Sequence, residues 1–251
     1  MIPYTENINI LIPMAGAGSR FVKAGYDKPK PLIDISGIPM IRRVVENINI
    51  PGRYIFLVRS QHLRDYPDLG PTLESLAEEV EIISVAELTE GAACTALLAR
   101  DLINNDTPLL TANSDQIQDW YSKDFLDFSK NVEQDGIIIT FSSDSENNSY
   151  ARLNESGNVT ETREKVVISR WATTGIYYWH KGSNFVKAAK SMIQNNVRSK
   201  GEFYMCPVYN ENIKMGQTIK IFHIDCHWPI GTPEELTVYK HERLGLERGN
   251  S

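Results

Sequence analysis

A chain of 251 residues, 41% hydrophobic and 23% charged, is long enough to bury a sizeable core, and one domain over residues 1–251 is the simplest expectation. A formal net charge of −6, with no dense run of Lys and Arg, argues against nucleic acid or an anionic membrane as the main partner. No stretch approaches the roughly 18 apolar residues of a membrane span, and the polar start Met1 to Asn9 lacks a basic-then-apolar leader pattern, so a cytoplasmic protein is expected.

Along the chain, apolar β-rich runs alternate with helical patterns. Strands are predicted at INILIPM from Ile8, YIFLVR from Tyr54, VEIISV from Val80, PLLTA from Pro108 and GIIITF from Gly136. Ile41, Val44, Val45 and Ile48 recur at helical spacing, and Ala93, Ala96 and Leu97 begin a stripe that continues to Leu102 and Ile103. Both stripes read as core faces of an α/β protein. In the second half, ARLNESGNVTETR reads as a hairpin about the turn Glu155 to Asn158, and GIYYW and TIKIFHI as further strands, so the sheet is expected to be mixed. Phe185, Ala188, Ala189 and Met192 mark an amphipathic helix between them. Thr232, Pro233 and Glu235 read as N-cap, first helical residue and capping-box acid of a last helix. Cys94, Cys206 and Cys226 are too few and too scattered for a disulfide framework or a zinc site and read as structural. His223 and His227 flank Asp225 on a strand-like run, where packing is a commoner explanation than metal binding.

The segment after the first strand, Pro13-Met14-Ala15-Gly16-Ala17-Gly18-Ser19-Arg20, sets two glycines and an arginine directly behind an apolar run. Glycines admit a phosphate close to the backbone, whose N–H groups can donate to its oxygens; a plain tight turn explains the same letters nearly as often. A dinucleotide fingerprint would need glycine at position 21, which is Phe21, and Gly18-Ser19-Arg20 is not the Gly-Lys-Ser/Thr of a Walker loop. Lys28-Pro29-Lys30-Pro31-Leu32 follows, where prolines stiffen the chain around Lys30, and then Gly37-Ile38-Pro39-Met40 opens a helix. A second acid-bearing strand end lies at Leu109 to Asp115. A carboxylate at the carboxyl edge of a buried strand is where α/β proteins place ligand chemistry, although an isolated aspartate there is more often a turn former.

In order and spacing, these segments resemble the nucleotidyltransferase family that activates sugar phosphates and related phospho-compounds, with its Gly-x-Gly-(Thr/Ser)-Arg, Pro-Lys-Pro-Leu and Gly-x-Pro-Met signature. The resemblance runs from Ile10 to about Leu236. It implies a Rossmann-like (GT-A-like) mixed β-sheet flanked by helices, with an NTP-binding part over about 1–120 and an acceptor-binding part over about 121–240. It assigns Met14, Ala15, Gly16, Ala17, Gly18 and Ser19 to the nucleotide, Arg20 to the NTP phosphates and Lys30 to the α-phosphate. Glu90, Gly91 and Thr95, in a Gly-Thr-Ala-like turn, fall to the base. Asp115 corresponds to the aspartate that binds catalytic Mg2+. Glu164-Lys165 resembles the family's Glu-Lys-Pro, with Val166 in place of proline, and implies that Lys165 holds the acceptor's phosphate; Thr174, Gly175 and Glu202 lie in further acceptor-side segments. Where Trp-x-Asp-x-Gly-Thr-Pro would supply a second metal aspartate, this chain has Pro229 and Ile230, and Asp225 is the nearest replacement.

Mechanistically, an ionised acceptor phosphate needs no general base, so the want of a Ser/His/Asp or Cys/His set is expected. The smaller members of the family that the chain resembles include cytidylyltransferases acting on phosphoglutamine or phosphocholine in bacterial capsule and surface polysaccharide modification, so CTP is the favoured NTP. A sugar-1-phosphate nucleotidyltransferase is the alternative. A nucleotide-sugar glycosyltransferase would present Asp-x-Asp where this chain has Asp115-Gln116-Ile117, and a non-catalytic nucleotide-binding regulator would keep the loop without the chemistry.

Overall fold

The apolar runs are continuous because both faces of the strands they form are covered. In the computed structural model, which describes residues 1–2 and 7–245, β1 (Asn9–Met14) sends Ile10, Ile12 and Met14 into one core and Leu11 into another. A two-residue ribbon of β2 (Asp34–Ile35) and β3 (Ile38–Pro39) follows, then β4 (Arg53–Arg59), β5 (Glu79–Val85) and β6 (Leu109–Ala112). In β4 the pattern repeats, with Tyr54, Phe56 and Val58 on the first core and Ile55 and Leu57 on the second. Such two-sided burial accompanies parallel pairing. β1 indeed pairs in parallel with β4 and β6, and β4 with β5.

The remaining strands lie further along the chain, and most of the antiparallel pairing is among them: β7 (Gln116–Asp119), β8 (Gly136–Ser142), β9 (Ser149–Leu153), β10 (Val159–Glu164), β11 (Trp171–Trp179), β12 (Ile219–His223) and β13 (Cys226–Pro229). The nine-stranded sheet runs β10-β9-β11-β6-β1-β4-β5, with β8 also beside β11 and β12 beside β8. It is mixed, as expected: β11 is antiparallel to β6 and β8, while β12 is parallel to β8. The hairpin of β9 and β10 forms too. Its turn is fixed by Asn154 Oδ1, which accepts from the N–H groups of Ser156 and Asn158 at 3.0 and 2.9 Å, and by Gly157 at φ 72°.

Helices cover both faces. They are α1 (Ser19–Lys23), α2 (Met40–Ile48), α3 (Ser60–Asp65), α4 (Leu69–Glu74), α5 (Ala92–Ala96), α6 (Arg100–Ile103), α7 (Ser122–Asn131), α8 (Gly182–Gln194), α9 (Val208–Lys214) and α10 (Pro233–Val238). α2 lays Ile41, Val44, Val45 and Ile48 on the first core, and α8 lays Phe185, Ala188, Ala189 and Met192 on the second. The stripe from Ala93 to Ile103 is not one helix: Leu97–Ala99 tighten into a 3-10 turn between α5 and α6. At α10, Thr232 Oγ1 accepts from Glu235 N–H at 3.1 Å, and Glu235 reaches back to Gly231 N–H, one residue before the cap. No helix among the described residues is long and apolar enough to cross a membrane. Residues 3–6 of the polar start lie outside the described residues.

One irregularity makes room for a site. Between Thr173 and Tyr177 the register of β11 slips through a bulge, with Gly175 at φ 83°. On one side of the bulge Ala172 pairs with Tyr150 of β9; on the other, Ile176–Trp179 pair with β6. The carboxyl end of β6 therefore opens into the gap where β11 changes neighbours, the kind of position where open α/β sheets bind ligands.

Candidate active site

At that opening the loop after β1 faces the loop after β6 across a cleft of about 340 Å³, lined among others by Met14, Gly16, Gly18, Ser19, Arg20, Lys30, Asn113 and Asp115. Gly18 has φ 63° and precedes α1, and a side chain there would meet Lys30 Cβ at 3.4 Å, so the glycine loop packs on the stiff Pro29–Pro31 segment. That segment closes as a 3-10 turn, Leu32 N–H donating to Pro29 O at 2.8 Å, and aims Lys30 inward. Lys30 Nζ donates to Asp115 Oδ2, with the two side chains 20% and 24% exposed, low enough for the pair to escape most of the screening that weakens surface ion pairs. Arg20 is exposed at the cleft wall and forms no ion pair among the described residues. A cation without a partner beside backbone N–H groups suits a phosphate chain.

Two further cavities adjoin the cleft. One, about 230 Å³, is shaped by Pro13, Ala15, Gly16, Leu88, Thr89, Gly91, Ala92 and Thr95. Thr89 and Thr95 share a hydrogen bond of 2.6 Å, and both hydroxyls lie within reach of Gly91 O, which fixes the turn. The other, about 260 Å³, meets the cleft at Asn113 and is walled by Gln116, Asn147, Asn148, Ser149, Glu164, Thr173, Gly175 and Tyr204. A side chain at Gly175 would overlap the amides of Asn113 and Gln116, so the glycine is what lets these two amides sit at the junction. Gln116 Oε1 is buried there with no donor. Glu164 accepts from Ser149 Oγ; burial raises its pKa above the usual carboxylate value, opposed by that hydrogen bond and by Lys165 and Lys200.

The structure brings together Met14, Gly16, Gly18, Ser19, Arg20, Lys30 and Asp115, with Ala15, Gly91 and Thr95 next door and Gly175 at the junction. Ala17 is exposed on the loop and lines none of the three cavities. Lys165 stands behind Tyr204, its Nζ 3.5 Å from the phenol oxygen. Four expectations shift. Glu90 turns its carboxylate to Arg198, away from the cavity. Thr174 is fully buried and donates to Ile139 O at 3.3 Å; because the bulge alternates the facing, its neighbour Thr173 lines the cavity. Glu202 is exposed and bridges to Ser199. Asp225 precedes β13 next to Cys226, which opposes Asp119, so it lies about five residues of strand, roughly 17 Å, from Asp115.

The position beside Asp115 belongs to Gly231, where an added Cβ would stand 2.5 Å from Asp115 Oδ2. Asp115 is thus the one carboxylate lining the cleft among the described residues, and its Oδ1 takes no protein donor there. A magnesium ion arriving on nucleotide phosphates fits this donor set, since that ion commonly takes one or two carboxylates and completes its shell with phosphate and water. His223 and His227 pack against aromatic rings, His223 edge-on to Trp171 at 4.9 Å and His227 over Phe141 at 4.6 Å. Burial holds the His227 pKa down to about 4, with Asp115 pulling it up. The three cysteines are free thiols, and burial pushes Cys206, on the wall of the third cavity, up to about 12. Asn113, Gln116, Ser149, Thr173, Tyr204 and Gly231, some in loops and others on β7, β9 and β11, were not read as site candidates, because a neutral residue carries no charge or motif that sets it apart in the sequence; Glu164 was flagged only as the neighbour of Lys165.

A mixed sheet with a glycine loop, a stiffly held lysine and an acid after the next parallel strand defines a nucleotide-binding α/β protein. The chain belongs to the nucleotidyl transferase family, whose match covers residues 10–229. It is 23% identical over 243 residues to the bifunctional protein GlmU of Methanocaldococcus jannaschii, covering 91% of this chain and 52% of that protein. The chain thus spans about half the length of that relative. Among solved structures, a nucleoside-diphosphate-sugar pyrophosphorylase from Vibrio cholerae superposes with a TM-score of 0.79 at 24% identity, covering 93% of this chain and 100% of the other. The inositol-1-phosphate CTP transferase from T. maritima superposes with a TM-score of 0.73 at 15% identity, over 96% and 95% of the two chains.

Proposed function

We propose that this nucleotidyltransferase moves a nucleotidyl group from a magnesium-bound NTP, with CTP favoured, to a phosphorylated small molecule, releasing pyrophosphate. The observation that carries the reading is the Lys30–Asp115 pair, set between the glycine loop and the Asn113 junction with the third cavity. An acceptor phosphate oxygen attacks the α-phosphorus, the bond from that phosphorus to the bridging oxygen breaks, and pyrophosphate leaves with the electron pair. Arg20 and the loop N–H groups hold the β- and γ-phosphates. Lys30 moves from Asp115 to the α-phosphate, where charge accumulates. Asp115 would hold magnesium, which when bound offsets the charge of the phosphates. The turn Thr89–Thr95 takes the base, and residues of the second half, about 121–240, take the acceptor.

The third cavity bears on the acceptor's class. Gln116 Oε1 and the Glu164 carboxylate both call for hydrogen-bond donors. Phosphoglutamine has an ammonium and an amide, and a sugar phosphate has hydroxyls; phosphocholine's quaternary ammonium has no N–H at all. CTP and phosphoglutamine remain our favoured pair, on the motif resemblance and the likeness in fold to a CTP transferase. A sugar 1-phosphate is the alternative, supported by those relatives that are named for that chemistry, among them a mannose-1-phosphate guanylyltransferase subunit. Incubation with each NTP, magnesium and a panel of phosphorylated sugars, choline and glutamine should release pyrophosphate with at least one pair. Silence across the panel, or full activity in Asp115→Ala or Lys30→Ala, would overturn the reading.

A further inference from the structure

We propose that Arg198 is a positioning residue that locks the base-side turn to the acceptor wall, so that a bound nucleotide sets the shape of the acceptor cavity. The inference rests on the reading of the Thr89–Thr95 turn as the nucleotide's base site. Arg198 spends its donors in three directions: Nε to Asn196 Oδ1 at 2.7 Å, Nη1 to Gly201 O at 2.9 Å, and Nη2 to a Glu90 carboxylate oxygen. Its guanidinium also lies 4.1 Å from the centre of the Phe203 ring. The loop it gathers is tightly bent, with Asn196, Lys200 and Gly201 at φ 51°, 47° and 87°, and Ser199 bridging to Glu202.

Phe203, which ends this loop, is 1% exposed and is held by the turn itself. Its N–H donates to Glu90 O at 2.9 Å, and its carbonyl accepts from Ala93 N–H at 3.0 Å. Gly91 lies so close that an added Cβ would stand 2.5 Å from Phe203 O and 2.6 Å from its nitrogen. The next three residues, Tyr204, Met205 and Cys206, line the acceptor cavity, and Ala92 lines both that cavity and the base cavity. A displacement of the turn is therefore transmitted through Phe203 to Tyr204. The Glu90–Arg198 pair is 67% and 31% exposed, where an ion pair adds little to stability; what the arginine supplies is orientation, since its fixed fork joins Glu90, Asn196 and Gly201 at once.

Hydrogen exchange followed by mass spectrometry reads this coupling without knowledge of the acceptor. The probes are CTP, ATP, GTP and UTP, each with magnesium. In the unaltered protein the nucleotide that binds should slow exchange in residues 89–96 and, about fivefold or more, also in 203–206, an ordinary strength for coupling between sites. In Arg198→Met the slowing at 89–96 should persist while that at 203–206 falls at least fivefold. Arg198→Lys, which keeps a charge for Glu90 but cannot reach Asn196 and Gly201 together, should restore it only in part. Should Arg198→Met fail to fold, Arg198→Gln carries the same test. Equal slowing at 203–206 in the variant and the parent, or none there in the parent, overturns the coupling. No slowing at 89–96 with any of the four nucleotides overturns the base-site reading instead.

Discussion

Gly231→Ala tests the geometry of the cleft with a single methyl group. The φ of Gly231 lies outside the left-handed region, so the backbone accepts alanine. The methyl would arrive 2.5 Å from Asp115 Oδ2, half an ångström inside the 3.0 Å below which real Cβ contacts essentially do not occur, while Glu235 Oε2 at 3.4 Å is in ordinary contact. The carboxylate must retreat by turning about its own side-chain bonds, at about 0.5–1.5 kcal/mol for a rotation near 30°. A loss of that size lowers Tm by only about 2–4 °C in a chain of this length. Catalysis should suffer far more, because a shift of about 1 Å in a reacting group can cost about 10²-fold. The expected result is kcat for magnesium-dependent pyrophosphate release down by about 10- to 100-fold. On an Asp115→Asn background the same methyl should cost less than about threefold, since the group it displaces is already impaired. A Gly231→Ala enzyme within about twofold of the parent would refute the idea that Asp115 works from its present position.

Three other outcomes follow from the same geometry. Gly175→Ala places a side chain against the amides of Asn113 and Gln116 at φ 83°; urea denaturation should show a loss on the order of 1–3 kcal/mol, with acceptor KM rising more than NTP KM. Glu164 has its folded-state pKa raised by burial, so its contribution is fully present below the ordinary value of 4.5 and is lost as pH rises through the raised one. Glu164→Gln should accordingly match the parent in stability near pH 4.5 and exceed it at pH 7–8; equal stability at both ends contradicts the assignment. For His227, held down to about 4 from 6.5, the sign is reversed: stability is present above 6.5 and lost as pH falls through about 4, by on the order of 3 kcal/mol. His227→Gln should flatten the acid limb of a stability profile between those values, and an unchanged slope would count against a buried neutral imidazole.

What could be read from the letters divides along physical lines. The parallel strands were legible because two-sided burial writes continuous apolar runs, as in Ile10–Met14 and Tyr54–Val58. α2 and α8 were legible because each buries one stripe. α3, α4 and α7 were not, and α4 explains why: LGPTLE holds Gly70 and Pro71, both poor helix formers, and forms by packing Leu69 and Leu73 into the first core. The ribbon of β7 and β13 escaped notice because its residues, such as Gln118 and His227, bond each other across the strands at 2.9 Å and show no apolar alternation. In the candidate site, the glycine loop, Lys30 and Asp115, singled out by the family resemblance, fall together in one cleft because each follows or braces a parallel strand of the sheet. Thr174 faces the core and Thr173 the cavity, a facing that no letter announces beside the bulge. Asp225 was favoured by sequence proximity, but the register of β13 carries it along the ribbon, away from Asp115.

The narrow seam between the cavities has a consequence for how such a protein can diversify. The cleft and the acceptor cavity have a single lining residue in common, Asn113, and the acceptor and base cavities one, Ala92. Most of the acceptor wall comes from loops at 147–149 and 204–206 and from β10 and β11, whereas the cleft is built largely from loops that follow the parallel strands. On the proposed function, drift in the former would retune which acceptor fits while the lining of the cleft stays untouched. Change at Asn113 or Ala92 disturbs two cavities together, so lineages that exchange acceptors should vary freely around these two positions and rarely at them.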